Sequence, residues 1–352
     1  MDDVTVLVTG AGAPGIMGTI YSLKNNFDKR KINIIGVDIK KDVIGKYLCK
    51  KFYQIPKPEN DDFISRLLEI CKKEEVEVIL PQVTNELFKL SKFKQEFENI
   101  GTKVAISDYE TILRSNNKFE LMNICKKQNM PYPKHYLVKN FDDLIKKAKK
   151  LGYPENPIVI KPKISSGMRG LRIINKKKDF KKSFYEEKPT GIYITIDELK
   201  KILRDEFSEL ILMEFLPGKE YTVDIFRSEE KEVVIPRSRE LIRSGITFNG
   251  TVEKNDEIIK YSKKIAEVLN MKYVFGFQFK LDNANTPKIL ESNPRIQGTM
   301  VLSTLAGANI IYASVKYALK EEIPDFEIKW GTRLLRYWGG VGVFDNKVVG
   351  VI

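Results

Sequence analysis

Two stretches in the second half of the chain place oxygen-bearing side chains where they could hold a metal ion. In Val274–Lys280 the residues alternate, so that Gln278 lies on the face opposite three phenylalanines if the stretch is a strand. The same alternation in Ile289–Arg295 puts Glu291 and Asn293 on one side of a second strand. If the two strands pair, three oxygen donors converge. Such donors are the ligands of Mg²⁺ (or Mn²⁺), which leaves further positions to water and phosphate oxygens.

An arginine follows this group directly. Arg295 could neutralise a phosphoryl group during its transfer. The alternative interpretation is an edge hairpin with solvated polar residues. Further motifs upstream, in a consistent order, favour the metal site.

Two lysines and a glycine-bearing turn upstream could bind phosphates. Lys118 stands at the start of a predicted helix, and Lys161 at the end of the predicted strand Ile158–Pro162. The turn Ser165–Gly170 follows at once and leads into the second arm of a hairpin, Leu171–Ile174. Backbone N–H groups of such a turn can close over the β- and γ-phosphates of a nucleotide.

A second turn could bind the rest of a nucleotide. The segment Met213–Asp224 leaves an apolar strand, turns at Pro-Gly and enters another strand. Its backbone groups could bind an adenine edge, and Glu220 could accept hydrogen bonds from both ribose hydroxyls.

Three stretches together resemble the ATP-grasp superfamily, within it the synthetase half of the carbamoyl-phosphate synthetase large subunit and its stand-alone relatives. They are Ile-Lys-Pro at 160–162, Glu-Phe-Leu-Pro-Gly-Lys-Glu-Tyr at 214–221 and Leu-Glu-Ser-Asn-Pro-Arg at 290–295, and the resemblance covers nearly the whole chain. It implies ATP and Mg²⁺ (or Mn²⁺) as cofactors, with metal ligands Gln278, Glu291 and Asn293 and with Arg295 on the transferred phosphoryl group. The ATP-binding residues that it implies are Lys118, Lys161, Ser165, Ser166, Gly167, Arg169, Gly170, Glu214, Phe215, Leu216, Glu220 and Gln278.

The resemblance also implies an activity. A carboxylate attacks the γ-phosphate, and an amine or a thiol then displaces phosphate from the acyl phosphate, which makes the protein a carboxylate–amine or carboxylate–thiol ligase. Its partners would be small-molecule carboxylate and amine substrates, with a homodimer possible. Arg239 and Arg243 form a pair that could clamp the carboxylate, and surface arginines beside a turn are the alternative.

The N-terminal glycine turn supports two interpretations. Gly10–Gly15 lies between a strand and a helix, and Asp38 ends the next strand, as in a dinucleotide-binding motif. An NAD- or nucleotide-binding regulatory or oxidoreductase module is therefore the alternative function. The ligase interpretation instead predicts that this domain binds the acid substrate, through Gly12, Pro14, Gly15, Thr84, Asn85 and Glu86.

The elements that position these residues fall into three predicted domains. Strands alternate with helices in residues 1–112, which predicts a Rossmann-like α/β domain with a parallel sheet. An α+β, two-lobed ATP-grasp fold should follow, with a small lobe at 113–190 that carries the glycine loop and a large lobe at 191–352 that carries the Mg-ATP site. Helices are predicted at Thr195–Phe207 and, as one long apolar core helix, at Thr299–Leu319.

Composition limits the remaining possibilities. The chain has 352 residues, a net charge of +13, three separated cysteines and one histidine. The cysteines suggest neither disulfides nor a zinc site. No apolar run could span a bilayer, and no surface interleaves aromatic and basic residues for nucleic acid. We expect a cytoplasmic enzyme that binds neither nucleic acid nor membranes.

Overall fold

A computed structural model describes residues 2–165, 167–188 and 191–352. The chain divides into two compact units. The first unit comprises the chain up to Asn116 together with Glu220–Phe279 and Glu291–Ile352, and the second comprises Asn117–Lys219 and Lys280–Leu290. The domain boundaries predicted at 112 and 190 stay predictions.

The N-terminal part of the first unit is a parallel sheet covered by helices. Its strands, in the order β3-β2-β1-β4-β5, are β1 Val4–Val8, β2 Ile32–Asp38, β3 Lys51–Gln54, β4 Val78–Leu80 and β5 Lys103–Val104. Its helices are α1 Ile16–Lys24, α2 Gly45–Leu48, α3 Asp62–Lys73, α4 Leu87–Lys92, α5 Lys94–Glu98 and α6 Tyr109–Ser115, with a 3₁₀ turn at Thr84–Glu86. Apolar strands such as β1 pack on both faces, which explains their near-continuous hydrophobic runs. The predicted α/β domain is confirmed.

The second unit is built on a sheet of mostly antiparallel strands, in the order β6-β10-β7-β8-β9. Its strands are β6 His135–Asn140, β7 Ile158–Pro162, β8 Arg172–Ile174, β9 Tyr193–Ile194 and β10 Glu206–Glu214, and its helices are α7 Lys118–Lys127, α8 Phe141–Lys150, α9 Phe180–Glu186 and α10 Ile196–Leu203. The predicted hairpin of β7 and β8 is present. The helix predicted at Thr195–Phe207 was too long: Thr195 caps α10, and Phe207 already belongs to β10.

The C-terminal part of the first unit carries the remaining strands and helices. They are β11 Glu220–Arg227, β12 Glu232–Ser238, β13 Leu241–Arg243, β14 Ile246–Thr251, α11 Asp256–Val268, β15 Tyr273–Leu281, β16 Pro287–Asn293, α12 Val301–Leu305, α13 Ile310–Ala318, β17 Arg333–Leu335, β18 Val341–Phe344 and β19 Lys347–Val351. The end of β15 and the start of β16 belong to the second unit, which includes residues 280–290. The strand orders are β12-β11-β15-β16, β13-β14-β17 and β18-β19.

The long helix predicted at Thr299–Leu319 is wrong in its continuity. The segment forms two helices, α12 and α13, because Gly307 adopts a φ of 96° and ends the first of them. Its predicted place in the core is confirmed, since Ile310, Tyr312 and Val315 are fully buried. In the part of the chain that the structure describes, no helix combines the length and apolar character that crossing a membrane requires.

Candidate functional site

The three predicted metal ligands lie on adjacent strands of one sheet. β15 and β16 are neighbours, as the sequence predicted. Phe277 and Phe279 are buried on one face of β15, whereas Gln278 is partly exposed on the other. On β16 the amide of Asn293 donates to Oε1 of Glu291 at 3.4 Å. Their oxygens are the hard donors that suit Mg²⁺.

Among the described residues, clusters of His, Cys, Asp and Glu do not offer an alternative metal site. Across 2–165, 167–188 and 191–352, no group of three or more His, Cys, Asp or Glu side chains could hold a metal ion. The set of Gln278, Glu291 and Asn293 contains one carboxylate, and amide oxygens supply the rest.

Arg295 is bonded to the predicted ligand set. Its Nη2 donates to Oδ1 of Asn293 at 3.2 Å, its Nε to Oγ1 of Thr84 at 3.0 Å, and its Nη1 to the carbonyl of Ile296 at 2.9 Å. Burial lowers the pKa of this guanidinium, while the carboxylate of Glu291 acts in the opposite direction. These contacts fix a guanidinium cation beside Asn293.

Glu86 forms a buried network next to Arg295. Its Oε1 accepts hydrogen bonds from the hydroxyl of Thr9 and from the backbone N–H groups of Gln82 and Val83. The side chain is 2% exposed, and burial raises its pKa to about 7. This burial leaves the side chain little access to a substrate, and its predicted contact with substrate stays a prediction.

Two neighbours of Glu86 were also predicted to bind substrate. Thr84 is buried and accepts from Arg295, whereas Asn85 is exposed. Of this segment, Asn85 alone is open to a ligand without rearrangement.

The two arginines of the predicted carboxylate clamp have different surroundings. The side chain of Arg239 is 6% exposed, and its guanidinium forms an ion pair with Glu220 and donates to Thr247 Oγ1 at 3.0 Å and to the Gly245 carbonyl at 2.6 Å. Burial lowers its pKa. Arg243 is exposed and lies over the ring of Phe248, 4.9 Å from its centroid. Arg239 therefore holds Glu220, the predicted ribose acceptor.

The predicted phosphate-binding lysines are both buried in the second unit. Lys118 Nζ donates to the carbonyl of Ser165 at 3.0 Å, and Lys161 Nζ donates to the carbonyl of Leu290 at 3.1 Å. Because Lys118 contacts the first residue of the glycine turn, the lysine and the turn are brought together.

The glycine turn itself is exposed at Gly167, Arg169 and Gly170. Both glycines have positive φ angles, of 62° and 73°, which residues with a side chain rarely adopt. A Cβ on Gly170 would lie 2.7 Å from Pro162, so the glycine lets the turn pack against the end of β7. Ser166 was also predicted to bind ATP and lies outside the described residues.

The predicted adenine-binding segment is held by ion pairs within the second unit. Oε1 of Glu214 accepts from the backbone N–H of Lys134 at 2.9 Å and from Nζ of Lys288 at 2.8 Å. Burial alone would lower the pKa of Lys288, but Glu214 and a second carboxylate raise it. Leu216 is buried, and Phe215 lies under the ammonium group of Lys280 at 5.3 Å.

Contacts within the protein occupy much of the N-terminal glycine turn. Asp38 accepts from the N–H of Gly12 at 2.7 Å and from that of Lys40 at 2.9 Å, so its carboxylate closes the turn. A Cβ on residue 15 would lie 2.7 Å from Cα of Gly298, so close packing accounts for a glycine at position 15. The hydrogen bonds from Gly12 and Lys40 engage the carboxylate of Asp38, which the ribose of a dinucleotide would need as its acceptor. Gly12 and Pro14 are exposed, and their contact with substrate stays a prediction.

One buried ion pair escaped the sequence analysis. Arg237 on β12 binds Asp224 on β11 through Nε and Nη2, at 2.8 and 3.1 Å. Asp224 also accepts from Ser303 at 2.8 Å. The available signal was a charge inside one predicted strand and another directly after the next, because such charges are rarely buried unless paired.

The three cysteines are free thiols. Burial raises the pKa of Cys49 to about 11 and those of Cys71 and Cys125 to about 12, so they remain protonated at neutral pH.

Two family models match separate parts of the chain. Residues 206–335 match "ATP-grasp in the biosynthetic pathway with Ter operon", and residues 6–105 match "PylC-like, N-terminal domain". The boundaries of the second match fall within the parallel-sheet domain.

Known proteins and solved structures are also similar. The carbamoyl phosphate synthase large chain of Clostridium acetobutylicum is 23% identical over 301 residues, 81% of this chain and 26% of that protein. The chain thus spans about a quarter of the length of this relative. The structure of N5-carboxyaminoimidazole synthetase from Staphylococcus aureus complexed with ADP has a TM-score of 0.68 at 18% identity, over 94% of this chain and 81% of that one. L-amino acid ligase from Bacillus licheniformis has a TM-score of 0.63 at 13% identity, over 91% and 74%.

Proposed function

We propose that this chain is a ligase of the ATP-grasp superfamily that joins a small carboxylate to an amine or a thiol through an acyl phosphate, releasing ADP and phosphate. The observation that carries the proposal is the bonded set of Glu291, Asn293 and Arg295 beside Gln278. It combines metal-binding oxygens with a fixed cation, the two components that phosphoryl transfer requires.

The donor set fits magnesium. Gln278, Glu291 and Asn293 would hold the ion, and their mixture of one carboxylate and two amides leaves charge to be balanced by phosphate oxygens. Magnesium, when bound, would neutralise charge on the phosphates of ATP. The hydrogen bond between Asn293 and Glu291 already orients both side chains.

Arg295 would stabilise the charge of the transferred phosphoryl group. Its guanidinium is anchored by Thr84 and Asn293, so little reorganisation is needed when charge develops. Burial strengthens its electrostatic effect, since nearby water is excluded.

Residues of the second unit would bind the nucleotide. Lys118, Lys161 and the turn of Ser165, Ser166, Gly167, Arg169 and Gly170 would contact the phosphates, and Glu214, Phe215 and Leu216 the adenine. Glu220 would bind the ribose, oriented by its ion pair with Arg239.

The carboxylate and its acceptor are small molecules under this proposal. Arg243 is exposed and available to a carboxylate, whereas Arg239 would act on the ribose side of the site, by orienting Glu220. An amine acceptor accords with the similarity to a protein named L-amino acid ligase. We further propose that the enzyme works in the cytoplasm on soluble substrates, without nucleic acid or membrane partners and with a homodimer as an open possibility.

A carboxylate screen tests the proposal. The protein is incubated with ATP, Mg²⁺ and hydroxylamine in the presence of individual acids, and ADP and hydroxamate are measured. We expect acid-dependent ADP release with hydroxamate formed in equal amount, because hydroxylamine traps an acyl phosphate. If acids stimulate ADP release but none of them yields a hydroxamate, the acyl-phosphate route is refuted.

A further inference from the structure

Two arginines of the first unit carry buried nitrogens that lack a hydrogen-bond partner. They are Nη1 of Arg237 and Nε of Arg336, within the residues that the structure describes. Buried polar groups are nearly always paired, and an unpaired donor on a charged group is costly. Two such donors in one region indicate that a ligand completes them.

Arg237 already has its charge balanced. It is 2% exposed, and its Nε and Nη2 bind the carboxylate of Asp224 at 2.8 and 3.1 Å. Asp224 also accepts from Ser303 at 2.8 Å and, at 3.5 Å, from the amide of Gln297. The carboxylate of Asp224 is therefore saturated. Of the three guanidinium nitrogens of Arg237, Nη1 is the one without a hydrogen-bond partner.

Among the described residues, Arg336 carries a charge that no carboxylate balances. It follows β17, and its Nη2 donates to the carbonyl of Gly298 at 2.8 Å. In the described ranges, no acidic side chain forms an ion pair with it. Burial lowers its pKa, and the charge of Arg237 lowers it further, so each guanidinium experiences the other.

A single turn links the two arginines. Gln297 donates to Asp224, the partner of Arg237, and the next residue, Gly298, accepts from Arg336. Arg237 also pairs with Val252, next to β14, and Arg336 is bonded to Phe248 on β14 itself. The backbones of the two residues thus flank the same strand, and their side chains are linked to the same turn. With Asp224 counted, the two arginines carry one positive charge in excess.

We propose that Arg237 and Arg336 bind a carboxylate group of the substrate that is not the one phosphorylated. Two unpaired N–H donors match the two oxygens of a carboxylate, and one negative charge offsets the excess positive charge. A carboxylate with its lone pairs held by two guanidinium groups is a poor nucleophile, so it anchors the substrate and leaves a second carboxylate to react. The substrate is then a dicarboxylic acid or an α-amino acid with a side-chain carboxylate. This inference rests on the proposed function for the identity of the ligand.

Calorimetric titration with acetate, in the absence of ATP and at constant ionic strength, tests the site directly. Arg336→Gln is the main variant, because it removes a donor without breaking an ion pair. Arg237→Lys keeps a cation beside Asp224 and removes Nη1. Arg333→Gln is the matched control, since Arg333 is an exposed arginine on β17. Circular dichroism melts establish that each variant is folded.

We expect wild type and Arg333→Gln to bind acetate equally and the other two variants to bind at least about tenfold more weakly, as for the loss of a charged hydrogen bond. Equal acetate affinity in all four proteins would overturn the proposal, as would the absence of binding to wild type. Tighter binding of inorganic phosphate than of acetate, lost in Arg336→Gln, would overturn the assignment to a carboxylate. ADP release plays no part in this titration, so the site and the ligase activity stand or fall separately.

Discussion

Replacing Glu86 with glutamine tests the buried network beside Arg295. Burial raises the pKa of Glu86 from 4.5 to about 7, although hydrogen bonds from Thr9, Val83 and Gln82 and the charge of Arg295 favour the ionised form. In the unfolded chain the carboxyl should titrate near its ordinary value. The folded protein therefore binds a proton more tightly than the unfolded chain does.

The sign of the effect follows from proton linkage. Between pH 4.5 and about 7 the folded state holds more protons at Glu86, so the free energy of unfolding falls as pH rises through this window. The two pKa values differ by about 2.5, and at about 1.4 kcal/mol for each pH unit the loss is about 3 kcal/mol as an upper value. Glutamine is neutral at every pH and removes this loss.

Urea denaturation of wild type and Glu86→Gln across this pH window measures the effect. The free energy of unfolding of the variant, relative to wild type, should rise with pH by up to about 3 kcal/mol. A Glu59→Gln protein, changed at an exposed glutamate, should keep a constant difference from wild type. A pH-independent difference between Glu86→Gln and wild type would refute the reasoning.

Two further substitutions test the packing of the first unit. Asp224→Asn leaves a buried guanidinium without its counter-charge and should lower the free energy of unfolding by about 3–5 kcal/mol. Glu267→Gln, at an exposed ion pair, should change it by less than about 1 kcal/mol. Denaturant melts measure both values, and similar losses in the two variants would contradict the argument. Gly15→Ala places a Cβ 2.7 Å from a facing glycine backbone and should cost about 1–3 kcal/mol, while Gly350→Ala, with open space around its Cβ, should be near neutral. A stable Gly15→Ala protein would show that the turn can move apart.

The alternation of residues predicted much of the candidate site. It assigned Gln278 and the two β16 ligands to neighbouring strands, and the sheet order confirms this pairing. It also placed β7 and the start of α7 within a residue of their observed bounds, since short apolar runs and the cap Asn117 are local signals. Such local signals were sufficient to place these two elements.

Contacts distant in sequence were not predictable in the same way. The bond between Arg295 and Thr84 joins residues 211 positions apart, and the pairing of Arg237 with Asp224 depends on how β11 and β12 meet. The break between α12 and α13 depends on the left-handed conformation of Gly307. The continuous apolar run around this glycine gives no sign of the break. Sequence periodicity indicates a face but not the partner that covers it.

The most direct test of the central claim is acid-dependent ADP release by wild type and by Glu291→Ala, measured with the acids that the hydroxylamine screen identifies. We expect Glu291→Ala to fold normally, because its side chain is partly exposed, but to lose at least about a hundredfold in turnover. Near-normal ADP release by the folded Glu291→Ala protein would contradict the assignment of the metal ligands and of the reaction built on them.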